Sequence, residues 1–393
     1  MFKILLKYYL PLNLLFDVFT STIWESSTSS ASIRGAILTI IILIAWIKEP
    51  NDKIYIPFIF YTIYIILLFP FASDFLESVR LSSKALLIIW TFPIFYVYSH
   101  LYTNKVIIRN ILLLSIILIA NYTISTIYGI GTSAYTDSQE FLVGNLSDTW
   151  LAYTFILFLY IIILKTKNIK ISVKFVYLIL FTLLVVQLLL GLKRTAIIVF
   201  FLGILIYLFL EKLNYKLIIT YILGFIFVLL LLNQYSDVLK NRIAARGSRV
   251  EGKYQDIIES EYRYLESFYV WEKTLSFNNI SESLFGLEAF NSVGNYGTKN
   301  LFGHRVLHVD YNLIVNTTGL VGLFFYFYIF YYIYLRYKER KIYLDFKYRE
   351  LFLVIFFTQF IASIGGQMLT VTYGSIKFIF MAIALKKFEQ PLS

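Results

Sequence analysis

The chain has 393 residues, of which 59% are hydrophobic and 15% charged, and its mean hydropathy is +0.72. A water-soluble domain cannot bury that much apolar surface, which excludes the soluble classes and points to an integral membrane protein. The net charge of +11 then reads as the positive-inside signal of such a protein and not as a nucleic-acid footprint. The absence of cysteine removes disulfides, thiolate nucleophiles and thiolate metal ligands.

The apolar stretches are long and lack a two-residue alternation, so helices are expected and an outer-membrane barrel is not. Crossing about 30 Å of hydrocarbon takes roughly 20 apolar residues. Met1–Trp24, with Lys3 and Lys7, reads as an anchor that is retained. Twelve spans are expected, the first nine being Ile4–Ile23, Ala31–Ile47, Ile54–Phe71, Ala85–Leu101, Val106–Ile124, Trp150–Leu164, Phe175–Leu190, Thr195–Leu210 and Leu217–Leu232. The last three are Tyr311–Tyr334, Leu351–Ser363 and Val371–Leu385. The chain thus divides into nine helices over 1–232, a long polar loop over 233–310 and three helices over 311–393.

Charge placement orients this arrangement. With both termini cytoplasmic, the inner segments carry twenty Lys and Arg, among them Lys165, Lys167, Lys170 and Arg336 through Arg349. The outer segments, the long loop apart, carry five: Arg34, Arg80, Lys84, Lys193 and Arg194. Long loops translocate largely regardless of charge and do not enter the count.

The long loop, Asn233–Asp310, is therefore expected outside the cytoplasm. It holds nine Lys and Arg, ten Asp and Glu, and two of the three histidines. Within Tyr254–Phe277, apolar residues at Ile258, Tyr262, Leu265, Phe268, Tyr269 and Leu275 have helical spacing, which predicts an amphipathic helix near the membrane surface. Phe285–Gly303, rich in Gly, Asn and Ser, reads as irregular coil. Gly129–Thr149 is a second polar outer loop and a candidate wall of a substrate cleft.

Several residues stand out for chemistry. Lys193 and Arg194 put two cations in a short turn on the face where positive charge is scarce. Arginine suits a bidentate phosphate contact, and a pair reaching to lipid headgroups is the plainer alternative. Arg242, Arg246, Arg249 and Arg263 form the loop's basic set. Arg263 has Glu259 at i−4 and Glu266 at i+3, so a solvated ion-pair ladder competes with a binding role. His304 and His308 are four apart with Asp310 following. No third and fourth metal ligands stand near them, whereas a neutral histidine is the commonest general base near neutral pH. His100 reads as an interfacial histidine. Lys377 falls inside the last span, where a charge is expensive and marks a functional candidate or a snorkelling side chain.

In order and spacing these pieces resemble the O-antigen polymerase and O-antigen ligase superfamily of bacterial envelope glycosyltransferases. Gly191-Leu192-Lys193-Arg194-Thr195-Ala196 is similar to that family's small-residue turn with an arginine opening a helix. Arg263, Trp271 and Phe285-Gly286-Leu287-Glu288 resemble its loop pattern, with Glu288 where a second glycine is usual. His308, Gly319 and Gly322 fit its H-x10-G-x-x-G spacing, with Val309 where a small polar residue is common. The resemblance implies an all-helical, GT-C-like membrane fold and an undecaprenyl-pyrophosphate-linked oligosaccharide as donor. It also implies no metal or other cofactor, contact with membrane lipid and a chain-length regulator as protein partner. It assigns His308 as base and Arg194, Arg263, Arg249, Lys193 and His304 to the pyrophosphate and substrate.

Within the family, a repeat-unit polymerase in the bacterial inner membrane is expected first and a ligase acting on lipid A–core second. A polysaccharide flippase is the main rival from another class. It would place polar groups at midplane and has no use for so long an outer loop. A non-catalytic scaffold leaves the arginines and His308 unexplained. Reporter fusions after residues 170 and 345 should read cytoplasmic and one near 280 extracytoplasmic; the inverse pattern would refute the orientation.

Overall fold

The structure, a computed structural model, describes residues 2–23, 27–50, 52–128, 154–160, 171–190, 194–211, 219, 262–293, 307–342, 344, 346–365, 369 and 374–386. The described residues are helical, with turns and bends but no strand. In chain order the helices are α1 (Phe2–Lys7), α2 (Tyr9–Ile23), α3 (Ser27–Lys48), α4 (Ile56–Leu68), α5 (Phe75–Val97) and α6 (Asn104–Tyr128). They continue with α7 (Ile171–Leu190), α8 (Arg194–Leu210), α9 (Tyr262–Leu275), α10 (Ile280–Phe285), α11 (Asp310–Arg340), α12 (Phe346–Gly365) and α13 (Gly374–Lys386).

Among the described residues, four helical stretches are long and apolar enough to cross a membrane: Lys53–Phe71, Phe75–Val97, Asn104–Ile124 and Asp310–Arg340. Gly35–Lys48, Lys174–Leu190, Thr195–Leu210 and Ser375–Leu385 are apolar but shorter. Each overlaps a span expected from sequence, and together they fit a helical membrane protein. Apart from Ile219, the expected span Leu217–Leu232 lies outside the described residues, as does the loop Gly129–Thr149.

One boundary differs from expectation. The helix expected from Ala85 begins at Phe75, because the Asp74 carboxylate accepts the Glu77 amide at 3.0 Å and caps it. Glu77 in turn accepts from Arg80 Nε at 2.7 Å. Arg80 and Lys84 therefore ride on the polar first turns of α5 and not in a loop.

The chain forms two compact units. The first comprises residues 1–34, 99–251 and 345–359. In it α6 is tied to the N-terminal helices: Asn110 Nδ2 donates to the Lys7 carbonyl at 2.7 Å, and the Tyr102 hydroxyl donates to the Leu6 carbonyl. Thr154 donates to the Ala196 carbonyl at 3.1 Å, and Phe158 stacks on Phe200 of α8. Gly203 makes room for the Phe158 ring, which a Cβ there would strike.

The second unit comprises residues 35–98, 252–344 and 360–393. Its core packs α13 on α5, α11 on α4, and α9 and α10 on α11. The decisive feature is a break in α11 at Gly319, with φ 66° and ψ −174°. Residues 320–340 remain helical and at 1.5 Å per residue span about 30 Å, one membrane crossing. An unbroken helix would pair the carbonyls of residues 316 and 318 with the amides four residues on. Here the Asn316 carbonyl accepts from the Leu287 amide at 3.2 Å and the Thr318 carbonyl from the Tyr64 hydroxyl at 2.6 Å.

Leu287 reaches that position because the turn after α10 presses directly on the break. Gly286, with φ 80°, lies so close to Thr317 that a Cβ would overlap its carbonyl. A Cβ on Gly319 would overlap the Leu284 carbonyl. Both glycines adopt backbone angles that L side chains rarely reach, and each also lacks the space for one. Substituting Ala at Gly319 or Gly286 should lower the melting temperature of the purified protein by an amount matching at least about 1–3 kcal/mol. Gly322→Ala should also destabilise, because a Cβ there meets both the Thr318 hydroxyl and the Thr318 Cβ, and rotating the hydroxyl relieves only the first. Equal melting temperatures for Gly319→Ala and wild type would refute the clasp.

Candidate functional site

The clasp continues into a pinned strip over residues 286–293. The Ser82 hydroxyl of α5 donates to the Ala289 carbonyl at 3.0 Å. Glu288 accepts from Ser73 and, at 2.8 Å, from Asn291 Nδ2. Glu288 thus ties the strip to the segment just before α5. Phe290, buried, holds a left-handed φ of 57° within the strip. Ser292 then accepts the Leu307 amide at 3.0 Å, which fixes the chain immediately before His308.

His308 is held from a second side by α9. Glu266 Oε1 lies 3.6 Å from His308 Nδ1, and Oε2 receives the His308 backbone amide at 3.5 Å. Both distances are long for hydrogen bonds, so the attraction is chiefly electrostatic. Glu266 is fully buried, whereas the His308 side chain keeps 29% of its surface. A carboxylate in such a place is stable only with positive charge or donors facing it, which gives the imidazole a defined orientation. It directs Nδ1 toward Glu266 and Nε2 away from it.

This placement corrects the solvated ladder expected for Arg263 and Glu266. Glu266 belongs to a buried ladder with Val270 and Thr274 at i, i+4 and i+8 that faces the core of the second unit. Phe268 and Leu275 of the same helix remain exposed, as an amphipathic surface helix requires. What turns α9 is polar bonding. Trp271 Nε1 donates to Asn312 Oδ1 at 3.0 Å, and Asn312 Nδ2 donates to Ser267 Oγ at 2.7 Å. These bonds lock α9 against the first turn of α11.

Between these elements lies a cavity of about 330 Å³, walled by Trp271 and Ser267 of α9, by Tyr311, Asn312 and Phe327 of α11, and by Val309. Deeper in the unit, Asp310 is buried and accepts the Leu369 amide at a long 3.4 Å. Lys377 of α13 is wholly buried, within electrostatic reach of Asp310 and over the Phe378 ring. Lys377 Nζ has no hydrogen-bond partner among the described residues. It does not snorkel: its amine sits inside the helix cluster.

The other sequence candidates are less fully placed. Arg194 is the first described residue of α8, in the first unit. Arg263 lies in the first turn of α9, one turn before Glu266. Lys193, Arg242, Arg246, Arg249 and His304 lie outside the described residues. His100 is exposed, in a turn at Ser99–Leu101. Among the described residues no group of three or more His, Asp or Glu is placed to hold a metal ion. Glu266 and Asn312 are the site residues that sequence reasoning missed. An acidic residue beside Arg263 looks like its surface partner, and only helix packing shows that it faces His308. Replacing Asn312 by Ala should cost about 1–3 kcal/mol by stranding buried polar partners. Hydrogen exchange should then quicken in α9 and stay unchanged in α7.

No protein-family model matches this chain, and no curated protein matches it in sequence.

Proposed function

We propose that this protein is a polysaccharide polymerase of the bacterial plasma membrane, a metal-independent glycosyltransferase of O-antigen polymerase type. In this reading it has twelve spans in a GT-C-like arrangement, and both termini are cytoplasmic. It transfers an undecaprenyl-pyrophosphate-linked glycan to the hydroxyl of another lipid-linked repeat unit at the outer face. The observation that carries the reading is the buried Glu266 behind His308, an arrangement that suits a general base and has no evident structural necessity.

The acceptor hydroxyl gives its proton to His308 Nε2 as its oxygen bonds to the anomeric carbon of the donor. The bond from that carbon to the pyrophosphate oxygen breaks, and the pyrophosphate leaves with the electron pair. Glu266 stabilises the imidazolium that forms. Arg194 and Arg263, with Lys193, Arg249 and His304, are assigned to the pyrophosphate, whose growing negative charge preorganised guanidinium groups offset. Arginine is required there for its planar fork and not for charge alone.

Deleting the gene should leave single-repeat glycolipid and remove longer polymer; an unchanged ladder would refute the activity. At matched protein level, His308→Ala should lower polymer formation by roughly 100-fold or more, as loss of a general base does. Glu266→Gln should fall between that variant and wild type. Arg194→Lys should lose most activity, whereas a mere headgroup contact would tolerate lysine.

A further inference from the structure

The residues that follow His308 are gripped by three elements at once. Asp310, Tyr311 and Asn312 open α11, and successive helical residues point about 100° apart. Asn312 is bonded to Trp271 and Ser267 of α9. The Tyr311 hydroxyl donates to the Phe360 carbonyl of α12 at 2.9 Å. Asp310 turns to a third partner, the Leu369 amide together with the Lys377 amine of α13.

Neutral groups make the first two contacts, whereas the third joins two ionisable side chains that are both almost completely buried. A buried carboxylate or amine is costly by itself, and a well-packed hydrophobic pair would often serve stability equally well. Lys377 Nζ has no hydrogen-bond partner among the described residues, and the Asp310 carboxylate lies within its electrostatic reach. Stability alone therefore does not account for this pair.

Its place in the fold does. α13 packs on α5, and Ser82 of α5 holds the Ala289 carbonyl of the strip whose Ser292 accepts the Leu307 amide. One pair of helices thus reaches the chain on both sides of His308, through the strip to Leu307 and through Lys377 to Asp310. Val309, at the cap position between, makes no side-chain capping bond of its own. The course of the chain at His308 is set by what grips its flanks.

We propose that Asp310 and Lys377 are a positioning pair, which sets the first turn of α11 so that the His308 imidazole meets the acceptor hydroxyl. Neither side chain touches a reacting atom; both act through the backbone of residues 308–310. That His308 is a base rests on the glycosyltransferase reading above, and that the pair places it does not.

The test uses the full-length protein in nanodiscs, with isotopically labelled histidine read by NMR. The chain has three histidines, and the signal lost in His308→Ala assigns that imidazole. Lys377→Met, which deprives Asp310 of its amine, should displace the His308 signal and leave that of His100, in the first unit, unchanged. With lipid-linked repeat unit from the deletion strain as substrate, its kcat should fall roughly 10- to 100-fold, as misplacing a reacting group does, and KM should change less than about twofold. Asp310→Asn/Lys377→Met removes both ionisable groups and keeps an acceptor for the Leu369 amide. Its melting temperature should return to the wild-type value, since removing both members of a buried pair is often neutral. Its His308 signal should stay displaced and its kcat low. This double variant keeps the test decisive should Lys377→Met fail to fold. A wild-type His308 signal and kcat in the double variant would reduce the pair to a structural contact and overturn the proposal. An unmoved His308 signal in Lys377→Met would overturn it too, and would leave the catalytic reading standing if His308→Ala has lost polymer. The signal needs no turnover. Polymer from His308→Ala alongside a displaced signal in the pair variants would overturn the catalytic reading and leave the positioning pair standing.

Discussion

Everything around the candidate site depends on the break in α11. A helix interrupted within an apolar stretch frees carbonyl groups that apolar surroundings cannot satisfy. Two of them are met from elsewhere in the second unit, by the Leu287 amide and the Tyr64 hydroxyl. That requirement brings the turn after α10 and the helix α4 to one point. The turn can come close enough only because Gly286 and Gly319 both lack a side chain. Once the turn is seated, the strip behind it is short enough for Ser82, Ser73 and Ser292 to hold. His308 inherits its position from that sequence of constraints. Threonines 317 and 318 add to the bend, since their hydroxyls bond back to the carbonyls of Leu313 and Ile314.

The second unit also buries several ionisable groups. Glu266, Asp310 and Lys377 are each almost fully buried within a segment of otherwise apolar packing. Removing such groups from water is costly, and evolution rarely retains them for stability alone. Glu266 answers to His308, and Asp310 to the Leu369 amide and the Lys377 amine. Glu266 of α9 faces His308, and Asp310 follows the histidine by two residues at the start of α11. The segment that carries the proposed base therefore has a buried carboxylate against it and another within it. The cavity lies along the same segment but is lined by spent polar groups, so charge and hydrocarbon are kept apart over a few residues.

The sequence by itself determined that the chain is helical and apolar, because composition and the length of hydrophobic runs act through solvent and not through partners. It also marked His308, Gly319 and Gly322 as a related set, since their spacing survives without knowledge of what they touch. It misplaced the start of α5, where the Asp74 cap lies beyond the apolar run and so outside any hydropathy window. It read Glu266 as a solvent partner of Arg263, because spacing along a helix identifies neighbours on one face but not which way that face turns. Only the tertiary structure decided that orientation, through the Trp271–Asn312–Ser267 bonds between segments some forty residues apart. The same holds for Gly286 and Gly319: each is legible as a glycine, but their mutual contact is a close approach of two backbones, and no local pattern encodes it.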